Sequence, residues 1–248
     1  MISADLRTAF TLLTRIPVGL GKASPNIARA VWAFPIVGLT VGALGGLAYW
    51  GTQRLGMSPL LSGCWSIAAI VIATGAFHED GLADVADGFG GGATRQRKLE
   101  IMRDSRLGSY GTLALIFSAL IRISAVTALA RPDKVVPALI LAAMLGRSGI
   151  IVILLISKPA RADGIASSLN HLPRTSALIG LAFAIGATVL LLPKILAATI
   201  IATTLAVSLA VAGLARRQIG GYTGDVLGTS VVVIECAVMS VLACFAAG

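Results

Sequence analysis

The chain has 248 residues, 56% of them hydrophobic and only 12% charged, with a formal net charge of +9. A soluble domain carries about 25% charged residues, so this composition excludes ordinary soluble packing and points to a bilayer, whose core is crossed by stretches of roughly 20 apolar residues. The basic residues sit in loops between apolar runs, which argues against nucleic acid as a partner and for the basic-loop bias of membrane proteins. No polar linker divides the chain, so one membrane-embedded domain over 1–248 is expected.

Residues 1–30 carry Arg7, Arg15, Lys22 and Arg29 but no long apolar stretch next to a small-residue cleavage site, and are not expected to be a signal peptide. Seven spans follow, at about 31–50, 59–77, 109–130, 135–157, 176–192, 195–213 and 226–247. Pro35, Gly38, Gly42, Gly45 and Gly46 in the first span read as close helix packing. Only Pro193 and Lys194 separate the fifth span from the sixth. The expected fold is therefore an all-α polytopic helical bundle. Cys64, Cys236 and Cys244 all lie in apolar runs without a CxxC pair, and read as small core residues, not as a disulfide framework or zinc site.

The segments 1–30, 78–108, 158–175 and 214–225 hold fourteen of the twenty basic residues, against Arg54, Arg131, Lys134 and Lys194 on the opposite side. That bias places the N-terminus in the cytoplasm and the C-terminus outside. It also gathers the acids Glu79, Asp80, Asp84, Asp87, Glu100, Asp104, Asp163 and Asp225 at the cytoplasmic boundary. A transporter more often carries ionisable groups near mid-membrane. This pattern reads instead as a one-sided reaction chamber.

The most informative stretch is His78-Glu79-Asp80-Gly81-Leu82-Ala83-Asp84-Val85-Ala86-Asp87-Gly88. If the second span continues as a helix, Asp80, Asp84 and Asp87 fall at i, i+4 and i+7, within roughly a 60° stripe. Like charges so placed destabilise a helix and are costly near a membrane. A hard divalent cation offsets that cost through oxygen ligands, and magnesium suits a phosphorylated substrate. Gly90, Gly91 and Gly92 follow, and read either as a flexible turn or as a nest of backbone N–H groups for phosphate. Arg95, Arg97, Lys98, Arg103 and Arg106 are suited to pyrophosphate or anionic headgroups, and Asp104 to returning to the metal across the loop.

Four further positions carry two readings each. Asp225, in a glycine-rich turn, is either a substrate contact or the N-cap of the last helix. Arg147, inside the fourth span, either calls for an acidic partner or a substrate phosphate or snorkels to a shifted span boundary. Arg122 is similar. His78 either supports the acids from behind or is a structural hydrogen-bonding group, while the spacing of Asp163 and His171 shows no role.

The run from Glu79 to Gly88, the glycines Gly90 to Gly92, and Leu99-Glu100-Ile101-Met102-Arg103-Asp104-Ser105-Arg106-Leu107-Gly108-Ser109-Tyr110-Gly111 closely resemble the cobalamin synthase family, the adenosylcobinamide-GDP ribazoletransferases. Thr14-Arg15-Ile16-Pro17-Val18 with Phe34-Pro35-Ile36-Val37-Gly38, and Gly220-Gly221-Tyr222-Thr223-Gly224-Asp225-Val226-Leu227-Gly228, look like the family's terminal signatures. At Glu79 the chain departs from the family's His-Leu-Asp-Gly pattern.

The resemblance implies transfer from adenosylcobinamide-GDP to alpha-ribazole or its 5′-phosphate, release of GMP, and a site at the bacterial inner membrane that uses Mg2+. It also implies that Glu79, Asp80, Asp84 and Asp87 bind metal, that Arg103 and Arg106 bind phosphate oxygens, and that Asp87 or Asp104 takes a proton. Gly90, Gly91, Gly92, Arg147 and Asp225 are then expected on the substrate. Membrane lipid, a second copy of the chain, or other late cobalamin-assembly enzymes are the implied partners. The rival readings are a lipid synthase of the CDP-alcohol phosphotransferase type, which uses spaced aspartates for the same class of displacement, and a multi-spanning transporter.

Overall fold

The computed structural model describes residues 2–19, 26–164, 166, 169 and 171–247; Lys22, counted above among the N-terminal bases, lies outside them. The described residues form helices and a single isolated β-bridge, Pro159 to Tyr222. Helix α1 (Ile2–Leu13) precedes the first span, which is built from α2 (Ile27–Ala30), a 3-10 turn (Val31–Ala33) and α3 (Phe34–Arg54). Then come α4 (Pro59–Thr74), α5 (Phe77–Gly91), the short α6 (Arg95–Ile101), α7 (Ser109–Leu129), α8 (Pro132–Ile156), α9 (Arg174–Leu191), α10 (Lys194–Ile219) and α11 (Gly224–Ala247). Six stretches are long and apolar enough to cross a membrane, and the bent pair α4–α5 makes a seventh element. The chain is thus an all-α polytopic bundle.

Local chemistry sets the ends of these helices. Asn26, Ser58 and Thr94 each accept a backbone N–H two or three residues into the helix they open. Gly220 closes α10 in the left-handed conformation, φ 85°. The largest departure from the expected spans lies at Gly75 and Ala76. Both adopt positive φ, 66° and 58°, and the chain turns by 90° between α4 and α5. The second span therefore does not run on into the acidic motif; α5 is a separate helix lying across its end.

The core is centred on α8, which keeps Leu141, Met144, Ile151 and Ile153 fully buried. Helix α3 approaches it closely through two glycines. A Cβ on Gly38 would stand 2.7 Å from Met144 Cα, and one on Gly42 would stand 2.6 Å from Ile140 Cα. The small residues of the first span thus pack helix on helix as expected. Helices α7, α9 and α10 expose Leu113, Phe117, Leu178, Leu190, Leu205 and Leu209, an apolar surface suited to hydrocarbon. Cys64 and Cys244 also face outward, so of the three cysteines expected in the core only Cys236 is partly buried.

Candidate active site

At one end of the bundle, α5 crosses the first turns of α11. Gly81 makes that crossing close: a Cβ there would meet the Asp225 carbonyl oxygen at 2.8 Å. Thr229 Oγ1 ties the pair, donating toward Gly81 O at 3.0 Å and Asp225 O at 2.8 Å. So fixed, α5 turns Asp80 and Asp84, one helical turn apart, into a pocket of about 450 Å³. Its facing wall is the Arg103–Leu107 stretch that follows α6. Among the described residues, neither carboxylate has a hydrogen-bonded or ion-paired partner. Asp84 also feels the negative charge of Asp225 and Asp87 and the positive charge of Arg161.

Glu79, which precedes Asp80, also borders this pocket, but one of its oxygens is held from inside the bundle. Its Oε1 accepts from Arg122 Nη1 at 3.0 Å, and the same nitrogen reaches Glu235 Oε2 at 3.0 Å. Arg147 donates to the other oxygen of Glu235, and its second guanidinium nitrogen stands 3.4 Å from His78 Nδ1. The five side chains link α5, α7, α8 and α11, and Arg147 is wholly inaccessible. Glu79, expected as a metal ligand, has one oxygen paired with Arg122. Arg147, expected on an acid or a substrate phosphate, is buried and paired with Glu235, so the acid is the partner present among the described residues. The network balances two guanidinium charges with two carboxylates, which is how buried charge is tolerated. Glu79 Oε2, His78 Nε2 and Arg147 Nε remain buried without partners among the described residues.

Asp87 has a third role. Its two oxygens accept the backbone N–H groups of Gly108 at 2.7 Å and Gly111 at 2.9 Å. Those are orphan donors at the start of α7, so Asp87 caps that helix from outside it. Glycine at 108 and 111 leaves room for the carboxylate. Asp87, expected as a metal ligand and, by the resemblance, as a base, thus has each oxygen on a backbone N–H.

Asp104 does line the pocket, but Arg106 Nε holds both of its oxygens at 3.0 Å. That hydrogen bonding drops its carboxyl to about 2, which makes it a poor proton acceptor at neutral pH.

The glycine run also differs from expectation. Gly90 and Gly91 lie inside α5, and Gly92 closes it with its N–H on Gly88 O at 3.1 Å. Helical N–H groups are already bonded, so no phosphate nest forms. Gly90 instead lets the Tyr110 ring approach, and Gly92 lets α6 approach at Lys98.

Asp225 pairs with Arg161 at 3.1 Å. Thr223, and not Asp225, accepts the Val226 N–H at 3.3 Å and so takes the cap role. Arg103 pairs with Asp163 across the pocket rim. Arg95 clamps the surrounding loops, donating to Ile219 O at 2.7 Å and Ala160 O at 2.8 Å. His171 is exposed and borders none of these groups.

Of the acids expected to hold metal, two are left available. Among the described residues no three acidic, histidine or cysteine side chains converge into a complete cage. Asp80 and Asp84 therefore do not suit an all-protein site. They do fit magnesium, which binds through one or two carboxylates and completes its shell with water and substrate phosphate.

Sequence reasoning missed Glu235, Arg161 and Tyr222. The signal for Glu235 was present: two arginines inside spans require an acid at the same depth, and Glu235 is the one acid within the last apolar run.

A membrane-embedded helical bundle with unpaired carboxylates facing arginines at one polar end defines a polytopic membrane enzyme. The chain belongs to the cobalamin-5-phosphate synthase family, whose model matches residues 5–243. The adenosylcobinamide-GDP ribazoletransferase of Bradyrhizobium diazoefficiens is 46% identical over 252 residues, covering all of this chain and 96% of the relative. The protein of the same name from Azorhizobium caulinodans is 43% identical, covering 92% of this chain and 90% of its own. That from Ralstonia nicotianae is 38% identical, covering 96% and 94%. No solved structure matches.

Proposed function

We propose that this chain transfers the phosphocobinamide group of adenosylcobinamide-GDP to alpha-ribazole or its 5′-phosphate, the last assembly of the cobalamin nucleotide loop. Three full-length relatives named for that transfer support it. The observation that carries the reading into chemistry is the pair Asp80 and Asp84, open to a pocket and unpartnered, opposite Arg103 and Arg106. The fourteen-to-four loop bias supports a pocket facing the cytoplasm of a bacterial inner membrane.

In the reaction a ribazole hydroxyl oxygen forms a bond to the phosphorus that stays with cobinamide. The bond from that phosphorus to the bridging oxygen breaks, GMP leaves with the electron pair, and the hydroxyl proton is released. Such transfers rest on alignment and charge neutralisation more than on covalent work by protein. Asp80 and Asp84 would hold Mg2+, which when bound neutralises diphosphate charge. Arg103 and Arg106 stand across the pocket, where exposed guanidiniums bind non-bridging oxygens. Their carboxylate partners Asp163 and Asp104 keep both side chains at the rim. The buried network behind Glu79 anchors the first turn of α5, and Asp87 anchors the loop between α6 and α7 to its other end. Together they fix the two walls.

The test is turnover by protein in liposomes, supplied with adenosylcobinamide-GDP and alpha-ribazole, with and without magnesium. Equal amounts of adenosylcobalamin and GMP, formed only with magnesium, support the reading. Folded protein that makes neither product, but condenses a CDP-linked lipid donor with an alcohol, overturns it in favour of a lipid synthase.

A further inference from the structure

A second cavity of about 390 Å³ opens beside the carboxylate pocket, between the start of α5, the 159–164 loop and the start of α11. The two share Arg103, which lines both. Asp225 lines the second cavity and acts electrostatically on Asp84 in the first. The cavities therefore adjoin at Arg103.

The chemistry of this cavity is unlike that of its neighbour. Arg161 and Arg103 bring two guanidiniums, and each uses a single nitrogen on its own carboxylate, Asp225 or Asp163. A guanidinium has five donors, so both retain donors for an anion. The same two arginines also border the adjoining hollow above α6. Phe77, nearly half exposed, adds an aromatic face. Tyr222 is 1% exposed, and its buried hydroxyl has no hydrogen-bond partner among the described residues. A buried phenol normally finds one. Its backbone is held by the pairing of Tyr222 with Pro159, through Tyr222 N to Lys158 O at 3.0 Å and Ala160 N to Tyr222 O at 2.8 Å. The backbone that carries the unsatisfied hydroxyl is thus fixed.

We infer that this second cavity seats the acceptor, an aromatic nucleoside, with Arg161 assisted by Arg103 reading a 5′-monophosphate and Tyr222 bonding the sugar or base. The inference rests on the reaction proposed above and names which half of it each cavity serves. The carboxylate pocket takes the diphosphate donor, because Asp80 and Asp84 are the pair that would hold the Mg2+ a diphosphate needs. The arginine-lined cavity takes the acceptor, whose hydroxyl then approaches from the side opposite the departing GMP. Arg161 becomes the residue that distinguishes phosphorylated from unphosphorylated acceptor.

The test measures KM for adenosylcobinamide-GDP, alpha-ribazole and alpha-ribazole 5′-phosphate separately, in wild type, Arg161→Gln, Arg161→Lys and Tyr222→Phe. Losing a charge-assisted phosphate contact raises KM for the 5′-phosphate about tenfold or more in Arg161→Gln, with KM for unphosphorylated ribazole and for the donor within about twofold. Arg161→Lys keeps the charge beside Asp225 and recovers part of the loss. Tyr222→Phe raises KM for both acceptors about fivefold and leaves the donor alone.

A rise confined to the donor overturns the inference, since the cavity then holds adenosylcobinamide-GDP. An equal rise for both acceptors in Arg161→Gln overturns the phosphate-reading role. Calorimetric binding of alpha-ribazole 5′-phosphate to wild-type protein separates the two readings. Binding weakened by Arg161→Gln supports the cavity even if turnover is absent, in which case the proposed reaction alone fails. No binding overturns the cavity assignment.

Discussion

Glu79 and Asp80 are neighbours in sequence and share the first turn of α5, yet they belong to two different electrostatic regions. About 100° of helix rotation separates them. Glu79 points into the bundle, where Arg122, Glu235, Arg147 and His78 close a paired and buried network. Asp80 points into a pocket where it and Asp84 have no partner. Both regions hold acids beside arginines, but in the network the ion pairs are already made inside the protein. In the pocket, Arg103 and Arg106 pair with acids at the rim while the carboxylates below stay open. Closed pairs hold helices in place; open ones are left for something that arrives from outside.

Three changes break or sharpen this contrast. The largest effect is expected in the open region. Asp84→Asn removes one of the two available carboxylates and lowers kcat/KM on the order of 1,000-fold or more, the scale of losing one main charge-stabilising group, while thermal unfolding in detergent shows a folded protein. Turnover near the wild-type rate would remove Asp84 from the site.

In the closed region the order reverses. Glu235→Gln leaves Arg122 and Arg147 short of a buried countercharge and costs about 3–5 kcal/mol of stability, the scale for breaking a buried pair. Replacing Arg147 and Glu235 together with methionine and leucine restores much of it, as apolar exchange of a buried pair does. A double variant no better than Glu235→Gln in thermal unfolding would show the network to be more than a balance of charge.

The smallest effect belongs to Asp104, which resembles the pocket acids in sequence but is closed by Arg106. With its carboxyl held at about 2, below the unfolded value of about 3.9, any stability linked to it is present above about pH 4 and lost only as pH falls through 2. Asp104→Asn should therefore leave the kcat/KM profile between pH 5 and 9 unchanged in shape and its height within about threefold. A shifted basic or acidic limb would make Asp104 a participant in proton transfer.

Much of this was legible in the sequence. Apolar runs of span length, the loop charge bias and the i, i+4 spacing of Asp80 and Asp84 located the helices and the facing carboxylates, because each depends on local periodicity. Two things were not legible. The bend at Gly75 and Ala76 pairs a glycine C-cap, which the sequence does show, with an alanine in left-handed backbone, a conformation for which alanine has no preference. The sorting of acids into open and closed depends on distant partners. Asp87 is committed by Gly108 and Gly111, Glu79 by Arg122, Asp225 by Arg161. Spacing along α5 places three aspartates on one stripe and says nothing of which neighbour reaches them. The glycines at 90 to 92 misled for a related reason: glycine serves close packing and turns alike, and here Tyr110 and Lys98 decide for packing.

Helix α4 has 16 residues, roughly 24 Å at 1.5 Å per residue, while a hydrocarbon core is about 30 Å thick. A bilayer beside so short a helix thins locally or tilts its neighbours, at fractions of a kcal/mol per ångström. The shortfall lies directly beneath the bend that carries Asp80. A bilayer thinned beside α4 would bring its surface toward the pocket that Asp80 lines, so the lipid itself would shape the approach to that pocket.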